Sequence, residues 1–178
     1  MEKDDPHEIR LGHARSADAP GTGAATREKV EAVFEQFGEA HPPVAFIVAS
    51  REEWMAAENA AGELNTRGID HRTHELSPTR SHEVLDRFLS TAGLRGIRVI
   101  IATAGEVPWL PSMVATRTDL PVIGVPMHSS AVGGLDTLLA TAQAPNGMPV
   151  ACMGIGSMRN AAIFAARILS AAPLPPQG

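Results

Sequence analysis

Ser50 and Glu53 stand three residues apart just after a short apolar run, Val44-Ala45-Phe46-Ile47-Val48. A hydroxyl there meets free backbone N–H groups and a helix dipole, which favour an anion. The same spacing is a helix capping box, and both uses can coexist through different atoms. Glu52 and Glu53 would repel an anion placed too close. A second cluster, Ser77-Pro78-Thr79-Arg80-Ser81-His82, offers hydroxyls and one guanidinium, a grip for phosphate or carboxylate. Its plainer reading is a turn set by Pro78, with Ser81 capping the next helix. His82 is either a proton carrier or a solvated first-turn histidine. In Thr103 to Pro111, Glu106 is a candidate general base. Trp109 there could stack on a planar ligand or fill the core or a subunit contact. His128 directly follows another apolar run, so it can face a cleft, and Gly133-Gly134 permits close backbone approach. The alternative for this loop is a connection capped by Ser129 or Ser130. His71 and His74 make a poor chelate, because residues three apart on a strand point to opposite faces. Cys152 lies in an apolar run and reads as a buried, inert thiol.

The elements that must position these groups follow a rhythm. Apolar runs at Val44–Val48, Ile97–Ala102, Pro121–Val125 and Val150–Met153, with the more polar His71–Leu76, read as strands. Between them lie helical patterns: Trp54, Ala57, Ala61 and Leu64; Val84, Leu85, Phe88 and Leu89; a short helix within Pro108–Thr116; Leu135, Leu138, Leu139 and Ala142. Ala161, Ala162, Ala165, Ile168 and Leu169 mark a last helix. The alternation predicts a three-layer αβα sandwich around a parallel five-stranded sheet. In that class ligands bind beyond the carboxyl ends of the strands, where all the loops above fall.

Residues 1–24 have no apolar periodicity and read as a flexible tail; Val30, Val33, Phe34 and Phe37 predict a helix over 25–38. The domain is expected over 25–170, with a proline-rich flexible tail at 171–178. The 178 residues are 44% apolar and 20% charged, ordinary globular proportions. A single cysteine excludes an internal disulfide framework and a multi-cysteine zinc site. The net charge of −5 argues against a general nucleic-acid binder, and no apolar run suits a membrane span. The polar start MEKDDPHEIR is unlike a secretory signal or transit peptide, so a cytoplasmic protein is expected.

Several motifs together resemble the PurE family, the carboxyaminoimidazole ribonucleotide mutases and aminoimidazole ribonucleotide carboxylases. They are Leu110-Pro111-Ser112-Met113-Val114-Ala115, Val122-Ile123-Gly124-Val125-Pro126, Gly134-Leu135-Asp136-Thr137-Leu138-Leu139, Gln143 to Ala151 and Asn160-Ala161-Ala162. The resemblance runs from about Val44 to Leu169. It implies a flavodoxin-like core, a homo-octamer with sites between subunits, and carboxylate transfer through trapped carbon dioxide without a metal or other cofactor. It implies substrate contacts at Ser50, Glu53, Ser77, Thr79, Arg80, Ala104, Gly105, Trp109 and Leu110.

The chemical motifs depart from the family pattern. Glu53 replaces the aspartate that holds the ribose, while Ser77 and the phosphate-binding Arg80 persist. Thr79 replaces the catalytic histidine. Glu106 replaces a glycine, Trp109 a histidine, and His128-Ser129-Ser130 replaces Gln-Ser-Lys. Glu106, His82 and His128 are therefore the candidate replacement proton carriers. The expectation is a divergent enzyme that carboxylates, decarboxylates or rearranges a small anionic heterocyclic or nucleotide-like substrate, outside housekeeping purine synthesis. Two alternatives stand beside it: the ordinary mutase with relocated acid–base groups, and a non-catalytic nucleotide-binding or scaffold subunit whose cleft Trp109 would fill.

Overall fold

A computed structural model describes residues 41–129 and 132–171. The flexible tail expected over 1–24, the helix expected over 25–38, Ser130 and Pro173–Gly178 lie outside the described residues. Among the described residues, five strands alternate with five helices: β1 (Val44–Val48), α1 (Arg51–Asn65), β2 (His71–Glu75), α2 (His82–Ala92), β3 (Val99–Ala104), α3 (Leu110–Ala115), β4 (Val122–Pro126), α4 (Leu135–Ala142), β5 (Ala151–Cys152) and α5 (Met158–Ser170). All pairings are parallel and the strand order is β2-β1-β3-β4-β5. This is the αβα architecture that the alternation predicts, with the flavodoxin-like core that the resemblance implies.

The central strands are apolar throughout because both faces are covered. Alternate residues of β1 feed opposite layers. Val44, Phe46 and Val48 pack with Ala57, Ala61 and Leu64 of α1 and Ala161, Ala162 and Ala165 of α5. Ala45 and Ile47 pack with Leu85, Phe88 and Leu89 of α2 and Leu110 and Val114 of α3. Full burial of each large side chain, such as Phe46 or Ile100, contributes about 1.5–3 kcal/mol. His71 lies edge-on to Phe46 and His74 tilts against Phe88, so the two histidines face opposite layers as their spacing requires. Among the described residues, no group of three His, Cys, Asp or Glu forms a candidate metal site, and no helix is long and apolar enough to cross a membrane.

Three sequence expectations need correction. β3 starts at Val99, because Ile97 is still tied to the end of α2 through its N–H to Ala92 O. It runs on to Ala104, whose register partner is Pro126. β5 is only two residues long, pairing with β4 at Ala151 and Cys152 alone. α4 turns Leu135 and Leu139 outward and buries Thr137 and Thr141 instead. The threonines tolerate burial because Thr137 Oγ1 donates to Met127 O and Gly134 O, and Thr141 Oγ1 donates to Thr137 O.

The strand order reverses between β1 and β3, so the loops after these strands diverge around an opening. Ladder bonds beyond the strands draw the other loops to it: Leu76 N to Val48 O at 2.9 Å, Met127 N to Ala104 O at 2.9 Å, and Gly156 N to Pro126 O at 2.7 Å.

Candidate active site at the carboxyl ends of the strands

The loops after β1, β3 and β4 enclose a pocket of about 590 Å³ lined by Ser50, Arg51, Glu52, Glu53, Gly105, Glu106, Met127 and His128. A groove of about 490 Å³ lies at the other end of the sheet, beside Arg67, Ile69, Ile163 and Arg167. It has no carboxylate, imidazole or thiol in its lining, whereas the first pocket has carboxylates and an imidazole together.

Glu53 organises this pocket. It sits in the first turn of α1 and is almost fully buried. Its Oε2 accepts Ala49 N–H at 2.8 Å and the Thr103 hydroxyl at 2.5 Å, and its Oε1 accepts Glu106 N–H at 2.7 Å. Three donors satisfy a carboxylate that would otherwise be costly to bury. The expected capping box is half formed. Ser50 Oγ accepts Glu53 N–H at 3.3 Å, but the return bond goes to Ala49 N rather than to Ser50 N. Glu53 thus clamps the ends of β1 and β3 together. Gly105 has to be a glycine for this, since a Cβ there would collide with Glu53 Oε1 and come within 3.0 Å of Met127 Cβ.

Arg80 comes from the loop after β2. Ser77 is buried, its Oγ lies 2.9 Å from Thr79 Oγ1, and its carbonyl accepts from Ser81 N at 2.8 Å and Ser81 Oγ at 3.0 Å. Ser81 therefore closes this turn and does not cap α2 with its side chain. The turn aims Arg80 across the opening. Its Nη1 donates to Glu106 Oε1 at 2.5 Å, its Nη2 donates to Ala49 O at 2.5 Å, and Glu75 Oε1 lies 3.7 Å from Nη2. The guanidinium expected to grip an anion is already held by a carboxylate of its own chain.

His128 lines the pocket beyond the end of β4. Its ring rests over Gly156, where a Cβ would stand 3.2 Å from Nε2; Gly156 has φ +68°. The loop that follows is shaped by Ser129, whose Oγ accepts from Gly134 N at 3.2 Å and donates to Asp136 Oδ1 at 2.7 Å. That bond holds the Asp136 carboxyl below its ordinary range.

Other expected site residues do not reach the pocket lining. Leu110 and Ala104 are fully buried in the core, because one begins α3 against the sheet and the other ends β3. Their side chains cannot touch a ligand. His82 is exposed on the first turn of α2, and Trp109 is half exposed outside the lining. Trp109 therefore fills neither the core nor the cleft. Ser77 and Thr79 support Arg80 without lining the pocket. Cys152 is only partly buried, and that burial pushes its thiol pKa up, consistent with an unreactive thiol. Sequence reasoning did not list Arg51, Glu52 and Met127, whose signal was their place in loops directly after strands.

The family model described as AIR carboxylase matches residues 43–174. The chain belongs to the AIR carboxylase family. Within that family it is 45% identical over 128 residues to the N5-carboxyaminoimidazole ribonucleotide mutase of Saccharolobus solfataricus, covering 72% of this chain and 81% of that protein. It is 41% identical over 132 residues to the protein of the same name from Bacillus subtilis, covering 73% of this chain and 82% of that one. The crystal structure of Treponema denticola PurE is similar with a TM-score of 0.59 and 25% identity, over 71% of this chain and 79% of that one. The match to the AIR carboxylase family bears out the resemblance read from the scaffold motifs.

Proposed function

We propose that the chain is an enzyme that moves a carboxylate on an amino-substituted heterocycle carrying a ribose-like group, a reaction of the type named for its mutase relatives. The observation that carries the reading is the open strand-end pocket, which His128 and Glu106 line and beside which Glu106 holds the Arg80 guanidinium, in a chain 45% identical to such a mutase. Glu106 is committed to Arg80, so proton transfer falls to His128, the imidazole on the pocket wall. Thr79 has no useful proton affinity near neutral pH, and His82 is exposed and not part of the lining. Ser50 and the first turn of α1 hold the polar edge of the substrate. The pocket walls keep released carbon dioxide beside the ring long enough to re-add, a proximity effect. Incubating the protein with ring-amine carboxylated aminoimidazole ribonucleotide and following a ¹³C-labelled carboxyl group tests the reading. Appearance of label on the ring carbon supports it, and unchanged label contradicts it.

The chain is further proposed to act as a homo-oligomer, with the octamer as the working assembly. Support comes from apolar side chains left outside: Val132, Leu135 and Leu139 around α4, with Trp109 and Phe164 elsewhere. Light scattering after size exclusion tests it, and a monomer at micromolar concentration contradicts it. A cleft filled by Trp109 would have favoured the silent-subunit alternative, and the exposed Trp109 outside the lining does not supply that support.

A further inference from the structure

Glu106 does more than occupy space. It comes from the loop after β3, and Glu53 pins its backbone N–H at 2.7 Å. Its carboxylate reaches Arg80 Nη1 at 2.5 Å, while Glu75 approaches the same guanidinium at 3.7 Å. Glu52 lines the same pocket from the first turn of α1, which would otherwise welcome an anion. Arg51, Glu52 and Glu106 line the pocket, and Arg80 and Glu75 adjoin it beside Glu106, so two cations meet three carboxylates, the buried Glu53 being already satisfied by its three donors. A phosphate dianion arriving at Arg80 must displace one carboxylate and remain among the others. The pinned backbone keeps the displaced Glu106 within a side-chain length. An uncharged hydroxyl meets no such repulsion, and it can donate a hydrogen bond to a carboxylate.

We propose that Glu106 sets substrate specificity, making this pocket select the unphosphorylated, nucleoside-level form of its heterocycle over the 5′-monophosphate. The proposal rests on the reading of the pocket as an amino-heterocycle site. Arg80 then serves as the internal partner that holds Glu106 in place, and the ribose 5′-hydroxyl meets the Glu106 carboxylate. A neutral residue at position 106 turns the preference around, because it frees the guanidinium for phosphate and removes one negative charge.

The test uses a stable matched pair, 5-aminoimidazole-4-carboxamide ribonucleoside and its 5′-monophosphate. Dissociation constants are measured by calorimetry for the wild type, Glu106→Gln, Glu106→Gly and the Glu106→Gln/Arg80→Ala double variant, each checked for folding by circular dichroism. The wild type is expected to bind the ribonucleoside at least tenfold tighter than the monophosphate. Glu106→Gln and Glu106→Gly are expected to shift that ratio at least tenfold toward the monophosphate, and the added Arg80→Ala change to abolish the gain. Equal or tighter binding of the monophosphate by the wild type overturns the specificity proposal and leaves the amino-heterocycle reading standing. If neither compound binds any folded variant, the underlying reading fails, and the proposal falls with it.

Discussion

The carboxylate of Glu53 holds the backbone of Glu106, accepting its N–H at 2.7 Å across 53 residues of chain. One buried side chain on α1 thereby fixes where the loop after β3 presents its own carboxylate. The same group takes the Thr103 hydroxyl and Ala49 N–H, so the ends of two neighbouring strands share one acceptor. Replacing Glu53 by Ala strands these donors in a buried setting. Each unsatisfied group costs about 1–3 kcal/mol, partly offset by no longer burying a charge. A net loss of about 2–4 kcal/mol is expected, read as a lower urea midpoint with an unchanged denaturant slope. Glu53→Asp is one methylene short of the same partners and should recover only part of the loss.

Gly105→Ala tests the same clamp from the other side. The added methyl would strike Glu53 Oε1 and crowd Met127. Overpacking of this kind typically costs about 1–3 kcal/mol. Thermal unfolding should show a lower Tm for Gly105→Ala but not for Gly62→Ala, where a Cβ meets nothing within 4 Å. Gly62→Ala should be neutral or stabilising, since it adds helix propensity within α1.

The Arg80–Glu106 pair should matter little to stability and much to function. The two side chains are 53% and 42% exposed. Exposed ion pairs contribute about 0–1 kcal/mol. Arg80→Ala should therefore unfold within about 1 kcal/mol of the wild type while changing ligand binding at least tenfold. A destabilisation well above that would mean the pair is structural.

Two histidines should separate cleanly in activity. His128 lines the pocket and His82 does not. Loss of a positioned acid–base group typically costs about 10²–10⁴-fold in rate. His128→Ala should show that loss in kcat, with His82→Ala within about threefold of the wild type. The reverse pattern would favour the alternative of an ordinary mutase with relocated acid–base groups, His82 among them.

Acid should weaken the fold through His74. Burial, followed by the positive groups His41, Arg72 and Arg95, lowers its pKa from 6.5 to about 4. The ring also tilts against Phe88 at 4.5 Å, and His41 beside it is shifted the same way by burial and Arg95. The unfolded chain binds a proton more readily than the folded one between these values. Stability is therefore fully present above about pH 6.5 and declines as pH falls toward 4. Allowing for the ring's partial exposure, the His74 contribution is on the order of 1–2 kcal/mol. Urea midpoints between pH 7 and pH 4 should flatten in His74→Leu relative to the wild type.

Much of the fold was legible because local pattern and burial agree. Val44–Val48 is apolar at every position, as only a central parallel strand requires, and it lies between β2 and β3. α4 was less legible, since its two buried threonines solve their hydrogen bonding inside the helix and the preceding loop. For the site, strand-end position correctly collected Ser50, Glu53, Gly105, Glu106 and His128 around one pocket. Spacing could not show that Glu53 turns away to Thr103, or that Arg80 is taken by Glu106. Those bonds span 50 and 26 residues and depend on how the sheet brings distant loops together.

The most direct measurement follows a ¹³C-carboxyl label by NMR, starting from ring-amine carboxylated aminoimidazole supplied as ribonucleoside and as ribonucleotide, with wild type and His128→Ala in parallel. The account predicts migration of label to the ring carbon with the wild type, faster for the ribonucleoside, and about 10²-fold slower or worse with His128→Ala. Label that stays on the amine or leaves as carbon dioxide at the uncatalysed rate, with folded wild-type protein and both substrates, would contradict it.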